Sequence, residues 1–207
     1  MENYIDAIKT LVIEGEDEEI TEILDKAVEA GIAAKDIVSD ALIEAMNEVG
    51  PMMAAGELFI PEVLLSAETM QLGLKHLKPL LKEGDVTSQG KIVIGTVEGD
   101  LHDIGKDLVA MMLESSGFEV ANIGIDQPAQ NFLEEGKKAD IIALSALLTT
   151  TMPAMKETVK ILKKELPSVK VIVGGAPIGD EFAEEIGADG YAGNGTAAVT
   201  LCKELLA

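Results

Sequence analysis

The sequence predicts an α/β protein in two parts, an N-terminal four-helix bundle followed by a doubly wound, five-stranded parallel sheet. Three observations predict it. As far as Leu81, apolar residues recur at intervals of three and four, the helical period. From Lys91 onward, short β-branched runs alternate with amphipathic segments, the pattern of strand and helix pairs. Those runs are apolar throughout, as strands covered by helices on both faces must be.

Helical periodicity begins at Asn3 and is clearest in "EEITEILDKAVEAG", "AAKDIVSDALIEAMNEVG" and "IPEVLLSAETMQLGLKHLKPLL". Gly15, Gly31 and Gly56 read as terminators, and Pro61 stands near a helix start, where its missing N–H costs little. About four helices with short connections imply an up-and-down bundle over residues 1–81. The stretch "KEGDVTSQG", residues 82–90, is polar, glycine-bearing and aperiodic, which predicts a linker.

Residues 91–207 supply the second part. In order they read "KIVIGTV", "DIGKDLVAMMLESSG", "FEVANIG", "PAQNFLEEGKKA", "DIIALSAL", "MPAMKETVKILKKELP", "VKVIVGG", "GDEFAEEIGA", "DGYAG" and "TAAVTLCKELLA". Right-handed crossovers leave few topologies for such a chain, and a Rossmann-like or flavodoxin-like winding is the natural one. The loops after the strands then gather at the carboxyl edge, where ligands bind at the point of reversed strand order. Those loops are "EGDLHDIG" after the first strand, "SALLTTT" after the third, "GGAP" after the fourth and "GNGT" after the fifth.

Composition narrows the function classes. Hydrophobic residues make up 47% of the chain, enough for packed cores. The longest apolar runs fall short of the roughly 20 residues that a membrane helix needs, and the acidic start "MENYIDAIKT" is unlike a signal peptide, so a cytoplasmic protein is expected. A single cysteine, Cys202, excludes an intramolecular disulfide and fits a reducing compartment; its apolar surroundings read as a buried, inert thiol beside the alternative of a reactive one. The net charge of −21 repels phosphate backbones and anionic lipid, so neither nucleic acid nor a membrane is an expected partner. Solubility explains that charge, and a basic partner surface is the alternative.

The sheet's rim carries the chemistry. A phosphate-binding loop between Gly99 and Lys106 fails on spacing: five residues separate Gly99 from Gly105 where a Walker loop has four, and Asp107 replaces the Ser or Thr. No dinucleotide fingerprint occurs. A phosphoacceptor receiver needs an aspartate ending its third strand, where this chain has Ser145 and Leu147. A hydrolase built on Ser145, His102 and Asp100 lacks the G-x-S-x-G elbow. His102 as a single metal ligand is the remaining chemistry, with Asp100 two residues away able to hold the other ring nitrogen and fix the tautomer. A mononuclear zinc site would need further ligands, and His76 and Cys202 lie in other segments, so a macrocycle would have to supply the rest. On these residues alone, a capping or structural histidine stands beside that reading.

The constellation Asp100-x-His102-x-x-Gly105, then Ser145-x-Leu147, then Gly174-Gly175, resembles the cobalamin-binding domain of methionine synthase, B12-dependent mutases and corrinoid methyl carriers. The resemblance covers the whole second half of the chain. It implies that His102 replaces the cofactor's own dimethylbenzimidazole as the lower cobalt ligand, that Asp100 tunes it, and that Thr151 takes the place of the hydroxyl completing the relay, a serine in methionine synthase. Asp100, Leu101, His102, Asp103, Ile104 and Gly105 would form the binding loop, and Ser145, Leu147 and Thr149 would line the slot for the displaced nucleotide tail. Gly105, Gly174 and Gly175 would let a large ligand approach the backbone closely, with ordinary turn chemistry as the alternative.

The first half resembles the helical cap of methionine synthase and of the corrinoid proteins of methanol, methylamine and methoxyaromatic systems, notably in "GELFIPEVLLSAETM". Aligned on "FIPE", Met53 and Ile60 stand where that cap shields the upper face of the cobalt; bundle core is the other role for Met52, Met53 and Phe59. The resemblance implies a shuttle between cob(I)alamin and methylcobalamin, loaded by a substrate-specific methyltransferase and discharged by an acceptor methyltransferase onto tetrahydrofolate or a thiol. A reductive activase is a further implied partner, and the cap should move through the linker. Aromatic O-demethylation is the donor chemistry leaned towards. The rivals are the cobalamin subunit of an adenosylcobalamin-dependent mutase and a non-catalytic corrinoid sensor or storage protein.

Overall fold

A computed structural model describes residues 4–81 and 88–207; residues 82–87 of the expected linker lie outside the described residues. The chain divides into two compact units, one helical and one built on the sheet.

The helical unit contains α1 (Tyr4–Glu14), α2 (Asp17–Glu29), α3 (Ala34–Ile37), α4 (Glu44–Ala55) and α5 (Ile60–Leu77). A π-helical turn, Val38–Ile43, joins α3 to α4, so the two form one long rod, and four rods result. Gly15, Gly31 and Gly56 follow the helices with φ of 74°, 89° and 77°, and Pro61 sits in the first turn of α5. The helical spacing aims one stripe of each rod inward: Ile8 and Val12, Ile20 and Leu24, Leu42, Ala45 and Val49, and Val63, Ala67 and Met70 are all buried. Removing each such aliphatic side chain from water contributes roughly 1.5–3 kcal/mol. His76 Nε2 lies 2.7 Å from Asp25 Oδ1 and ties α5 to α2, which gives the second histidine a structural role.

The second unit alternates β1 (Lys91–Thr96), α6 (Ile104–Ser115), β2 (Glu119–Asn122), α7 (Ala129–Gly136), β3 (Ile141–Ser145), α8 (Met152–Glu165), β4 (Lys170–Gly174), α9 (Asp180–Ile186), β5 (Gly190–Tyr191) and α10 (Gly195–Leu206). All pairings are parallel, and the strand order is β2-β1-β3-β4-β5. Residues alternate between two cores. Ile92, Ile94, Ile141, Ala143 and Ile172 meet Leu113 of α6 and Cys202 of α10. Val93, Ile142, Leu144, Val171 and Val173 meet Phe132 of α7, Met155 and Val159 of α8 and Ala183 of α9. Double burial is why the interiors of β1, β3 and β4 are apolar at successive positions rather than at alternate ones, whereas the edge strand β2 is largely exposed and carries Glu119 and Asn122.

Strand order reverses between β1 and β3, so the loops following these two strands flank the switch point. Among the described residues, no helix is long and apolar enough to cross a membrane. Burial pushes the Cys202 thiol up to about 12. Native protein at pH 8 should therefore leave a maleimide unreacted over hours and label fully in denaturant; rapid native labelling would show that the α10 core opens.

Candidate functional site

The loop after β1 carries the predicted histidine. Val97 extends the strand by donating its N–H to the Ser145 carbonyl at 3.0 Å, and Asp100 N–H closes a turn onto the Val97 carbonyl at 3.1 Å. Buried Thr96 then reaches forward, its hydroxyl donating to the His102 carbonyl at 2.8 Å. The loop is thus wound against its own strand before α6 begins at Ile104.

Asp100 is fully buried and every donor around it belongs to this rim. Its Oδ1 accepts the His102 ring Nδ1–H at 2.7 Å and the His102 backbone N–H at 3.1 Å. Its Oδ2 accepts the Leu147 and Leu148 N–H groups at 2.8 and 3.2 Å and the Thr151 hydroxyl at 2.8 Å. The Leu148 carbonyl, 2.9 Å from the same hydroxyl, is a second acceptor for its proton. Burial pushes the Asp100 carboxyl up, but the His102 ring, the Leu147 N–H, the Thr151 hydroxyl and the His102 N–H together outweigh it and hold the group well below the usual carboxylate range. The β1 and β3 loops, far apart in sequence, are therefore joined through one ionised carboxylate.

An ionised carboxylate only accepts, so the proton on the facing imidazole nitrogen belongs to Nδ1. In the neutral ring Nε2 then keeps its lone pair, and it has no hydrogen-bond partner among the described residues. The His102 side chain is 49% exposed, enough to present that nitrogen outward. Among the described residues, no group of three or more His, Cys, Asp or Glu side chains could hold a metal ion.

Around His102 the rim is apolar where solvent-facing loops are usually polar. Leu101, Ile104, Leu147 and Leu148 are all exposed, Ile104 at 85%. Beside them, a Cβ on Gly105 would find nothing within 4 Å. A planar macrocycle with apolar faces and one vacant axial position fits this set: one imidazole nitrogen aimed outward, greasy side chains around it and open backbone at the head of α6.

The structure brings His102, Asp100 and Thr151 into one hydrogen-bonded line and places Leu147 on the same carboxylate. Leu101, Asp103, Ile104 and Gly105 share the loop and its exit into α6; Ser145 ends β3 beside Thr96 and Gly174, and Thr149 is exposed in the following turn. At Gly174 and Gly175 the chain's own backbone comes close. A Cβ at Gly175, whose φ is +123°, would stand 1.8 Å from the Ala146 carbonyl oxygen, and one at Gly174 would stand 2.7 Å from the Ala192 carbonyl oxygen. These glycines serve the close approach of the chain's own backbone at this edge. Met53 and Ile60 belong to the helical unit; Ile60 opens α5 at 50% exposure, beside Phe59 at 68%, and Met53 is half-buried in α4.

Sequence reasoning missed several participants. Thr96 reads as one more strand residue, and Leu148 contributes a backbone N–H, which no side-chain pattern signals. Lys106, 3% exposed, donates to Asn122 Oδ1 at 2.7 Å and pairs with Asp107, holding that carboxyl below its ordinary range. It fastens α6 to the end of β2.

Comparison with known proteins gives concordant results. Residues 90–203 match the B12 binding domain family, and residues 4–78 match a second family also described as a B12 binding domain. The dimethylamine corrinoid protein of Methanosarcina barkeri is 44% identical over 211 residues, covering 100% of this chain and 99% of that protein. Among solved structures, a cobalamin-binding protein from Desulfitobacterium hafniense DCB-2 superposes with a TM-score of 0.80 at 33% identity, covering 97% of this chain and 98% of that one. The methanol:cobalamin methyltransferase complex of Methanosarcina barkeri gives a TM-score of 0.89 at 30% identity, covering 99% and 80%.

Proposed function

Because the chain belongs to the B12 binding domain family and is a corrinoid protein of that family, we propose that it carries methyl groups with His102 Nε2 as the lower axial ligand of the cobalt. The observation that carries the reading is the line Thr151–Asp100–His102, which ends on an outward imidazole nitrogen at the strand-order switch point. When bound, the corrinoid supplies a cobalt centre able to accept and release a methyl group. The residues of this chain do the rest. Asp100 holds the Nδ1 proton and so keeps Nε2 a donor of electrons. Thr151 and the Leu147 and Leu148 N–H groups stabilise the Asp100 charge. Leu101, Ile104, Leu147 and Leu148 cover apolar surface and exclude water. Ser145, Leu147 and Thr149 line the slot for the nucleotide tail.

The partners follow from the chemistry. A substrate-specific methyltransferase loads the carrier, an acceptor methyltransferase removes the methyl group to tetrahydrofolate or a thiol, and a reductive activase restores the reduced cofactor after oxidation. Methylated amines are the donor class favoured, because the dimethylamine corrinoid protein of Methanosarcina barkeri aligns end to end with this chain; methanol and methoxylated aromatics are the other donors to test. The reduced, loaded protein should accept methyl groups from dimethylamine in the presence of an amine methyltransferase, followed by anaerobic absorbance and by loss of dimethylamine. Transfer from methanol or a methoxylated aromatic instead would reassign the donor. Transfer from none of the three, with the corrinoid still bound, would leave a storage or sensing protein.

A further inference from the structure

The loop that carries His102 is held from the β3 side through Asp100, and from the β2 side by one residue that makes no hydrogen bond to the histidine. Asp126, between β2 and α7, accepts the Gly99 N–H on its Oδ1 at 2.7 Å and donates its own N–H to the Asp100 carbonyl at 3.0 Å. These bonds grip two successive residues of the histidine loop. Gly99 itself has φ +83°, so the grip falls on a left-handed position that favours glycine.

Asp126 is also the one non-glycine residue with positive φ, 52°, among the described residues. Side chains other than glycine are uncommon in the left-handed region and persist where their surroundings hold them. Glycine would relieve that conformation, yet the chain has an aspartate; the feature glycine lacks is the carboxylate that receives the Gly99 N–H. The segment around it is itself pinned. Asn122 Oδ1 accepts from Lys106 Nζ at 2.7 Å and from the Gly124 N–H at 3.1 Å, and the Gln127 N–H donates to the Thr96 carbonyl at 2.9 Å. The support thus extends from α6 through the β2–α7 loop to Asp126, and from there to Gly99 and Asp100.

We propose that Asp126 is a positioning residue for cobalt ligation: its carboxylate on Gly99 N–H and its N–H on Asp100 O fix the loop in the conformation that presents His102 Nε2. The proposal rests on the axial-ligand reading above. A loop already held in its ligating form loses less conformational entropy when the ligand bond forms, so loosening it weakens ligation without removing the imidazole.

Two substitutions separate the carboxylate from the turn. Asp126→Gly keeps the left-handed backbone and removes the acceptor; Asp126→Asn keeps an acceptor oxygen and tolerates the same backbone. In the cofactor-free protein, the Gly99 amide should exchange with solvent about tenfold faster in Asp126→Gly than in wild type, and close to the wild-type rate in Asp126→Asn. In the loaded Co(II) protein with nitrogen-15 labelled histidine, the share of the paramagnetic signal coupled to protein nitrogen should fall by about half or more in Asp126→Gly and recover in Asp126→Asn. Unchanged Gly99 exchange in Asp126→Gly, or faster exchange with an undiminished share, overturns the proposal while leaving histidine ligation in place. A wild-type signal with no coupling to protein nitrogen overturns the ligation reading and this proposal together.

Discussion

Replacing His102 with alanine should leave a folded protein that no longer transfers methyl groups at a useful rate, with a loss of about a hundredfold or more. Loss of an outer partner of a metal ligand typically costs roughly 10–100-fold, and removal of the ligand itself should exceed that range. The fold should tolerate the change because the His102 side chain is 49% exposed and packs in neither core of the sheet. What disappears is the outward Nε2 and the ring that Asp100 Oδ1 holds at 2.7 Å. Wild type and His102→Ala, each loaded with cobalamin and passed through gel filtration, give the comparison: the variant should retain less cofactor and transfer methyl groups poorly, while the melting temperature of the cofactor-free protein falls by only about a few degrees, because Asp100 Oδ1 loses the ring but keeps the backbone N–H of residue 102. Wild-type transfer by His102→Ala would return the histidine to a structural role.

Asp100→Asn should destabilise the cofactor-free protein by about 2–4 kcal/mol, because a buried acceptor serving five donors becomes a group with one acceptor oxygen. If the amide oxygen faces Leu147, Leu148 and Thr151, its NH2 meets the Nδ1–H and N–H of His102, and donors oppose donors. The ring can relieve this by moving its proton to Nε2, which removes the lone pair that ligation needs. The substitution should therefore lower the melting temperature, by on the order of 10 °C, and weaken ligation as well. The pH dependence has a definite sign. The Asp100 carboxyl lies well below its ordinary value of 3.8 in the folded state. Its stabilising contribution is thus fully present above that ordinary value and declines as pH falls from there towards the depressed folded value. Melting curves between pH 7 and pH 2 should show wild type losing its advantage over Asp100→Asn only at the acid end. A constant difference across that range would mean that the carboxylate's charge is not what the rim stabilises.

Much of this organisation is legible in the sequence because it depends on repeated patterns. Period alone separates the helical residues from the βα units, and the apolar continuity of "KIVIGTV" and "DIIALSAL" anticipates helices on both faces of the sheet. The aspartate and histidine two residues apart stand out because the chain has two histidines, and the other is paired with Asp25. What stayed hidden depends on backbone geometry. The π-helical turn at Val38–Ile43 and the passage of α4 through Pro51 leave the apolar spacing almost undisturbed. Leu148 reaches Asp100 through its N–H, a group that every residue but proline possesses. Asp126 sits in "GIDQP", an ordinary turn composition, and its role depends on a left-handed φ and a contact with a loop more than twenty residues earlier. The glycines after β4 are legible as glycines, but the Ala146 and Ala192 carbonyls come beside them only in the folded chain.

The measurement that bears most directly on the axial-ligand claim is electron paramagnetic resonance of the wild-type protein, loaded with cobalamin in the Co(II) state and carrying nitrogen-15 labelled histidine. With His102 Nε2 on the cobalt, the hyperfine pattern should change when the histidine label is introduced, and the change should be absent in His102→Ala. A pattern indifferent to the label, showing only the cofactor's own benzimidazole nitrogen or no axial nitrogen, would contradict the account.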